Sequence, residues 1–84
     1  KSAVLINRGL FQGLAEWEKG QTKASALKNI VKKKISSNPL NYLEYISLAS
    51  QKDFIEQDHA EPGSIISVAV IVGTVRLIDN VVLK

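Results

Sequence analysis

Residues 64–83 read SIISVAVIVGTVRLIDNVVL, and the architecture can be worked out from this stretch. Its first part, Ser64 to Val72, is apolar on both alternating sides, which predicts a central strand with both faces covered. The pair Gly73-Thr74 fits a two-residue type II′ hairpin, which takes glycine at its first central position. Val75 to Leu83 is therefore expected to return as an antiparallel strand, with a bulge at the polar pair Asp79-Asn80.

Two amphipathic helices are predicted upstream, and the first covers Ser2 to Glu18. Its apolar residues recur at steps of three and four, so that one face carries Ala3, Ile6, Leu10, Leu14 and Trp17. Gly9 and Gly13 are one turn apart and lower helix propensity, so we expect another backbone to approach closely there. Gly20 suits the left-handed position that ends a helix.

The second helix is predicted to begin after Thr22, whose hydroxyl can accept the first-turn amide hydrogens. Its buried stripe consists of Ala24, Leu27, Val31 and Ile35. The helix is expected to end between Ser36 and Pro39, because proline disfavours helical geometry in the residue before it. The short connection between the two helices predicts an antiparallel helical hairpin.

The segment between the helices and the hairpin supplies the remaining strand, Asn41 to Ala49, which is rich in β-preferring residues. In the polar connector Ser50 to Gly63, we expect Phe54 and Ile55 to hold a short turn of helix against the body. The order is ααβββ, which predicts an α+β fold in two layers, an N-terminal helical hairpin packed on a three-stranded antiparallel sheet. An apolar docking patch is expected if the helices leave one set of strand residues uncovered, namely Ile66, Val68, Val70 and Val72.

Composition narrows the classes of function. The 84 residues are enough for one domain, and the contents of 45% apolar and 23% charged residues are typical of a globular protein. The chain has no cysteine, so it has neither disulfides nor thiolate metal ligands, and a cytoplasmic location is the simplest interpretation. Its longest apolar stretch, Ile65 to Val72, is too short to cross a bilayer, so no membrane partner is predicted.

Charged segments raise two further possibilities. The net charge is +3, and most of the excess comes from Lys28, Lys32, Lys33 and Lys34. A stand-alone nucleic-acid-binding module is therefore one alternative, although no aromatic residues are interleaved for base stacking and a solvated helix end is the simpler interpretation. The acidic connector matches neither an EF-hand nor a zinc signature, so no metal site is predicted from Asp53, Glu56, Asp58, His59 and Glu61. A protein-interaction module that uses an exposed sheet face is the other alternative.

Three segments resemble one enzyme family. Residues 73–80, GTVRLIDN, are similar to the G-x-T-R-L-I-D-N segment near the C-terminus of pantothenate synthetases, the pantoate–β-alanine ligases. Residues 67–72, SVAVIV, resemble that family's strand into the same hairpin, and residues 41–44, NYLE, resemble its D-Y-L-E strand. Val75 stands where the family has threonine and Asn41 where it has aspartate, so the roles of that hydroxyl and carboxylate do not carry over.

The resemblance implies that residues 1–84 are the C-terminal lid domain of a pantothenate synthetase. Such an enzyme uses ATP and Mg²⁺ to convert pantoate into a pantoyl adenylate with release of pyrophosphate, and β-alanine then attacks to give pantothenate and AMP. The start at Lys1 in a helical pattern, together with the missing nucleotide-binding domain, indicates a fragment that is inactive alone and binds no cofactor. Its expected partner is the N-terminal catalytic domain, where a lid would keep water from the adenylate.

Three polar residues of the hairpin are the candidate site residues: Arg76, Asp79 and Asn80. Charges in an apolar hairpin need partners, so each is expected either to contact nucleotide or the catalytic domain, or to make a mutual or backbone-directed bond at the strand end. The second interpretation is favoured. No catalytic residue is predicted, because the single histidine, His59, lies in the connector without a nucleophile beside it. The larger aromatic residues are expected to anchor the core: Trp17, Tyr42 and Tyr45.

Overall fold

The computed structural model describes residues 2–84, with side chains from Val4 onward, and confirms the predicted order ααβββ. The elements are the helices α1 (Ser2–Glu18) and α2 (Ala24–Ile35) and the strands β1 (Asn41–Ser50), β2 (Ser64–Val72) and β3 (Val75–Val82). The strands form one antiparallel sheet in the order β1-β2-β3, so β2 is central. Both helices pack on one face of this sheet, which gives the two-layer α+β fold.

The two helices approach each other closely at glycine. A Cβ on Gly13 would lie 2.8 Å from Cγ2 of Val31, and one on Gly9 would lie 3.2 Å from the Val31 carbonyl oxygen. Gly9 also adjoins Ile35 whereas Gly13 adjoins Leu27, so the helices run antiparallel. The predicted hairpin and the predicted close approach are both confirmed.

The core lies between the helices and one face of β2. Ile66, Val68 and Val70 are fully buried there, and they share a cluster with Leu27 and Val31 of α2. The helices therefore cover the strand residues for which an apolar docking patch was predicted if they were left uncovered. The uncovered side of β2 is the opposite one.

The N-terminus of α2 is capped differently from the prediction. Thr22 does not cap it: the N-cap position is Lys23, and no side chain caps the helix. The Asp58 carbonyl accepts the Ala24 N–H at 2.9 Å instead, and the Ala60 N–H donates to the Thr22 carbonyl at 2.7 Å. The connector main chain thus satisfies the helix start, so a hydroxyl is not needed there.

The connector was also predicted wrongly, because Phe54 and Ile55 form no helical turn. Their side chains are 75% and 63% exposed, and Phe54 has a φ of 58°. The segment pairs with the edge of β1 instead: the Ser50 N–H donates to the Ile55 carbonyl at 3.1 Å, and the Gln57 N–H donates to the Leu48 carbonyl at 2.9 Å. These edge bonds satisfy the connector backbone without a helix. A left-handed conformation at a bulky residue costs on the order of 1 kcal/mol.

The β2–β3 hairpin has the predicted turn. Gly73 has a φ of 64° while Thr74 is not in the positive-φ region, which is the type II′ pattern. The predicted bulge at Asp79-Asn80 is wrong, because β3 pairs with β2 in unbroken register through both residues. Because β3 is an edge strand, both polar side chains keep contact with water without a bulge: Asn80 is exposed and Asp79 is partly exposed. The irregularity lies in β1 instead, between Leu43 and Tyr45.

Replacing Gly13 with alanine tests the helix contact. Val31 is buried and β-branched, so it has little freedom to rotate away from a new Cβ. We expect Gly13→Ala to lower the free energy of unfolding by about 1–3 kcal/mol in urea denaturation, as overpacking does. At an open helix position the same change would add roughly 0.5–1 kcal/mol.

The matched control is Gln12→Ala, an exposed position on the same helix. We expect its stability to stay within about 0.5 kcal/mol of the wild type. A Gly13→Ala variant as stable as the wild type would show that the helices do not touch closely at this point.

Candidate functional site

The side of the sheet that faces away from the helices is covered by neither helix. We call it the outer face. Its members follow from the strand register and from the alternation of side chains. They are Tyr42, Tyr45, Ser47 and Ala49 of β1; Ile65, Ser67, Ala69 and Ile71 of β2; and Arg76, Ile78, Asn80 and Val82 of β3.

The outer face is apolar at its centre. Ala69 pairs with Tyr45 on one side and with Ile78 on the other, so the three residues form a row across the sheet. Ala69 is fully buried although no helix covers it, since larger side chains flank it, whereas Ile78 is 63% exposed. In the next row Tyr42 is 65% exposed. The prediction that Tyr42 and Tyr45 anchor the core is therefore wrong, and both lie on this open surface.

An ion pair crosses the same face. Nε of Arg76 donates to Oε1 of Glu44 at 2.6 Å, linking β3 to β1 across β2, and both side chains remain partly exposed. Glu44 is the extra residue at the irregularity of β1, so it sits out of the regular alternation, where it can reach the outer face. Sequence reasoning singled out Arg76 but missed Glu44, because the bulge that positions Glu44 was expected in a different strand.

The three candidate residues do not form one cluster. Arg76 and Asn80 belong to the outer face, whereas Asp79 alternates to the helix side, beside a shallow recess of about 140 Å³ that Ile6 and Leu77 also line. Arg76 pairs with Glu44 and makes no bond to Asp79, while the Asp79 carboxylate accepts the Asn80 backbone N–H at 2.8 Å. A backbone-directed bond is thus present at Asp79. The roles of the three residues stay predictions.

A second polar centre, which sequence reasoning also missed, lies where the connector meets β1. The Glu56 carboxylate accepts hydrogen bonds from the Ser47 hydroxyl and from the Leu48 N–H, and Nζ of Lys28 lies 3.5 Å from it. It therefore joins the connector to both β1 and α2. Burial raises the pKa of Glu56, but the bonds from Ser47 and Leu48 and the charge of Lys28 outweigh it, so the pKa lies below its usual value.

The lysine cluster lies on the helix layer, away from the exposed tyrosines of the outer face. Lys28 is engaged with Glu56, and Lys32 and Lys33 are exposed near the C-terminus of α2, where positive charge complements the helix dipole. Trp17 packs against the core as predicted, and its Nε1 donates to the Lys84 carbonyl at 3.4 Å.

Within residues 2–84, no three histidine or acidic side chains come close enough together to hold a metal ion. Over the same residues, neither helix has the length and apolarity needed to cross a membrane.

The fold and the outer face together define a small α+β domain whose helices shield one side of a sheet and leave the other side free. A model of the family described as pantoate-β-alanine ligase matches residues 1–82. The chain therefore belongs to the pantoate-β-alanine ligase family.

Its relatives are considerably longer. The whole chain is 29% identical to the pantothenate synthetase of Clostridium botulinum (strain ATCC 19397 / Type A) and 31% identical to that of Roseiflexus castenholzii, and it covers 30% of each. A crystal structure of pantothenate synthetase from Thermus thermophilus shares the fold with a TM-score of 0.86 at 16% identity. That match covers 95% of this chain and 29% of the other. The chain thus spans about 30% of the length of the curated relatives it matches.

Substitution of Glu56 tests the second polar centre. A carboxylate whose pKa is lowered by folding stabilises the fold above its unfolded pKa, near 4.5, and loses that contribution as the pH falls through the folded value. We expect the wild type to lose more stability than Glu56→Gln between about pH 6 and about pH 3, by less than about 1 kcal/mol because the site is half exposed.

Urea denaturation at the two pH values measures this difference. Ser47→Ala removes a hydrogen bond that lowers the pKa, so it should reduce the acid sensitivity in the same direction. Identical pH dependence in the wild type and Glu56→Gln would contradict the assignment.

Proposed function

We propose that residues 1–84 are the C-terminal lid domain of a pantothenate synthetase. The observation that carries the proposal is the family match over residues 1–82 in a chain that spans about 30% of its relatives' length. In this proposal an N-terminal catalytic domain precedes the chain, and the complete enzyme joins pantoate to β-alanine in the cytoplasm. The reaction consumes ATP, passes through a pantoyl adenylate, and yields pantothenate, AMP and pyrophosphate.

The outer face is the surface that we assign to the catalytic domain. Its exposed apolar residues, Tyr42, Tyr45 and Ile78, are the kind of surface that a folded partner covers. Arg76 and Glu44 pair on the same face and are partly exposed, so each retains capacity for further hydrogen bonds on closure. In this arrangement Arg76 would contact the catalytic domain or its nucleotide.

The lid contributes by excluding water and not by taking part in a chemical step. An acyl adenylate is hydrolysed when water reaches it, so a domain that closes over the intermediate favours attack by the amine of β-alanine over hydrolysis. ATP and Mg²⁺ would be held by the catalytic domain. The described residues lack a cluster of metal-ligating side chains, and no chemical step is assigned to them.

Addition of a separately expressed catalytic domain to the isotopically labelled 84-residue chain tests this proposal by NMR. We expect chemical-shift changes at the backbone amides of Tyr45, Ala69 and Ile78, and no comparable changes along the exposed side of α2. Ile78→Ala should weaken binding, because it removes an exposed apolar contact. The matched control, Phe11→Ala on α1, truncates a similarly exposed apolar side chain away from the outer face.

The proposal fails if the labelled chain does not respond to the catalytic domain. It also fails if the responding residues lie on α2 and Ile78→Ala binds as well as the wild type.

The purified 84-residue chain is expected to be inactive. Incubated with ATP, Mg²⁺ and pantoate, it should release no pyrophosphate above the background of a protein-free reaction, since no nucleophile, base and orienting group can be assembled from the side chains described from Val4 onward. A coupled pyrophosphate assay measures this. Turnover that co-purifies with the chain and disappears on its denaturation would overturn the expectation.

A further inference from the structure

The turn after β1 presents two exposed apolar side chains, Phe54 and Ile55, which we call the tip. Phe54 is the most exposed large apolar residue of the described side chains. The turn itself is well fixed: the Phe54 N–H donates to the Ser50 carbonyl at 2.8 Å, and the Ile55 N–H donates to Oδ1 of Asp53 at 3.1 Å. The tip is therefore an apolar projection on a hydrogen-bonded turn.

A phenylalanine at position 54 is unfavourable for the stability of the isolated domain. With a φ of 58°, Phe54 occupies the left-handed region, where glycine or asparagine is usual and an aromatic residue is strained. Burial does not compensate for this strain, because three quarters of the side chain is exposed. Neither the backbone conformation nor packing within the domain favours phenylalanine at position 54. Contact with another domain is the remaining source of stabilisation for this side chain.

The tip lies at the end of the domain opposite to the start of α1. The Ile35 carbonyl, at the C-terminal end of α2, accepts a hydrogen bond from Asn41 at the start of β1. Because α1 runs antiparallel to α2, its first residues lie at this same end, and the tip follows Ser50 at the far end of β1. A strand of ten residues spans roughly 30 Å.

We infer that the tip is the distal latch of the lid and inserts into an apolar recess of the catalytic domain when the lid closes. This inference rests on the proposed function, in which the catalytic domain joins at the start of α1. A lid attached at one end is held shut most effectively by contacts at its other end, where the lever arm is longest. The occupant is the rest of the same enzyme, because relatives of this chain are more than three times its length.

The variant Phe54→Gly distinguishes a latch, which binds the catalytic domain, from a side chain that only stabilises the isolated fold. Glycine relieves the backbone strain and removes the aromatic side chain, so the melting temperature of the 84-residue chain should stay the same or rise. Its affinity for the separately expressed catalytic domain should nevertheless fall at least tenfold, as for loss of an aromatic anchor at an interface. Calorimetric titration measures the affinity, and Phe11→Ala, the control at an exposed aromatic on α1, should change it less than twofold.

Phe54→Leu keeps an apolar anchor and should retain most of the affinity. Wild-type affinity in Phe54→Gly would overturn the latch and leave the proposed function standing, provided that Ile78→Ala still weakens binding. A wild-type chain that does not bind the catalytic domain would overturn the proposed function and the latch together. A lower melting temperature in Phe54→Gly would also contradict the inference, because it would mean that the side chain stabilises the isolated fold.

Discussion

A layer of two helices can cover only one face of a three-stranded sheet, whereas the central strand β2 is apolar on both. The helices settle on the side of Ile66, Val68 and Val70, and they can pack tightly there because Gly13 lets α1 approach α2 closely. The opposite side must then be shielded in another way. Within the chain this shielding comes from neighbouring strands, whose larger side chains close over Ala69 but remain exposed themselves. One face of the sheet is thus covered by the helices, and the other face remains exposed.

The elements were predictable from the sequence because each is set by local pattern. The 3.6-residue period of Leu27, Val31 and Ile35 marks a helix whatever it packs against, and Gly73 marks a hairpin because few residues tolerate its backbone angles. Two of the errors arise where a segment forms its backbone hydrogen bonds with another element and not within itself. The Ala24 N–H at the start of α2 donates to the Asp58 carbonyl, and the connector pairs with the edge of β1.

The candidate site was predictable only in part for the same reason. Arg76 stands out in the sequence as a charge in an apolar hairpin, but its partner Glu44 is positioned by a bulge that leaves no clear sequence signal. Glu56 lies in a segment that reads as a solvated acidic connector, although its carboxylate joins α2, β1 and the connector. The exposure of Tyr42 and Tyr45 depends on which face of the sheet the helices cover. Because β2 is apolar on both faces, its sequence does not determine which face that is.

The proposed lid would need such a division between a packed face and an open face, since its own core must persist whether or not the partner is engaged. The most direct measurement is hydroxyl-radical footprinting of the outer face, in the intact synthetase with ATP and pantoate and in the 84-residue chain alone. Tyr42 and Tyr45 should react severalfold more slowly in the intact enzyme, while Phe11 on α1 reacts equally in both. Equal reactivity of the two tyrosines in the chain and in the enzyme would contradict the assignment of this face to the catalytic domain.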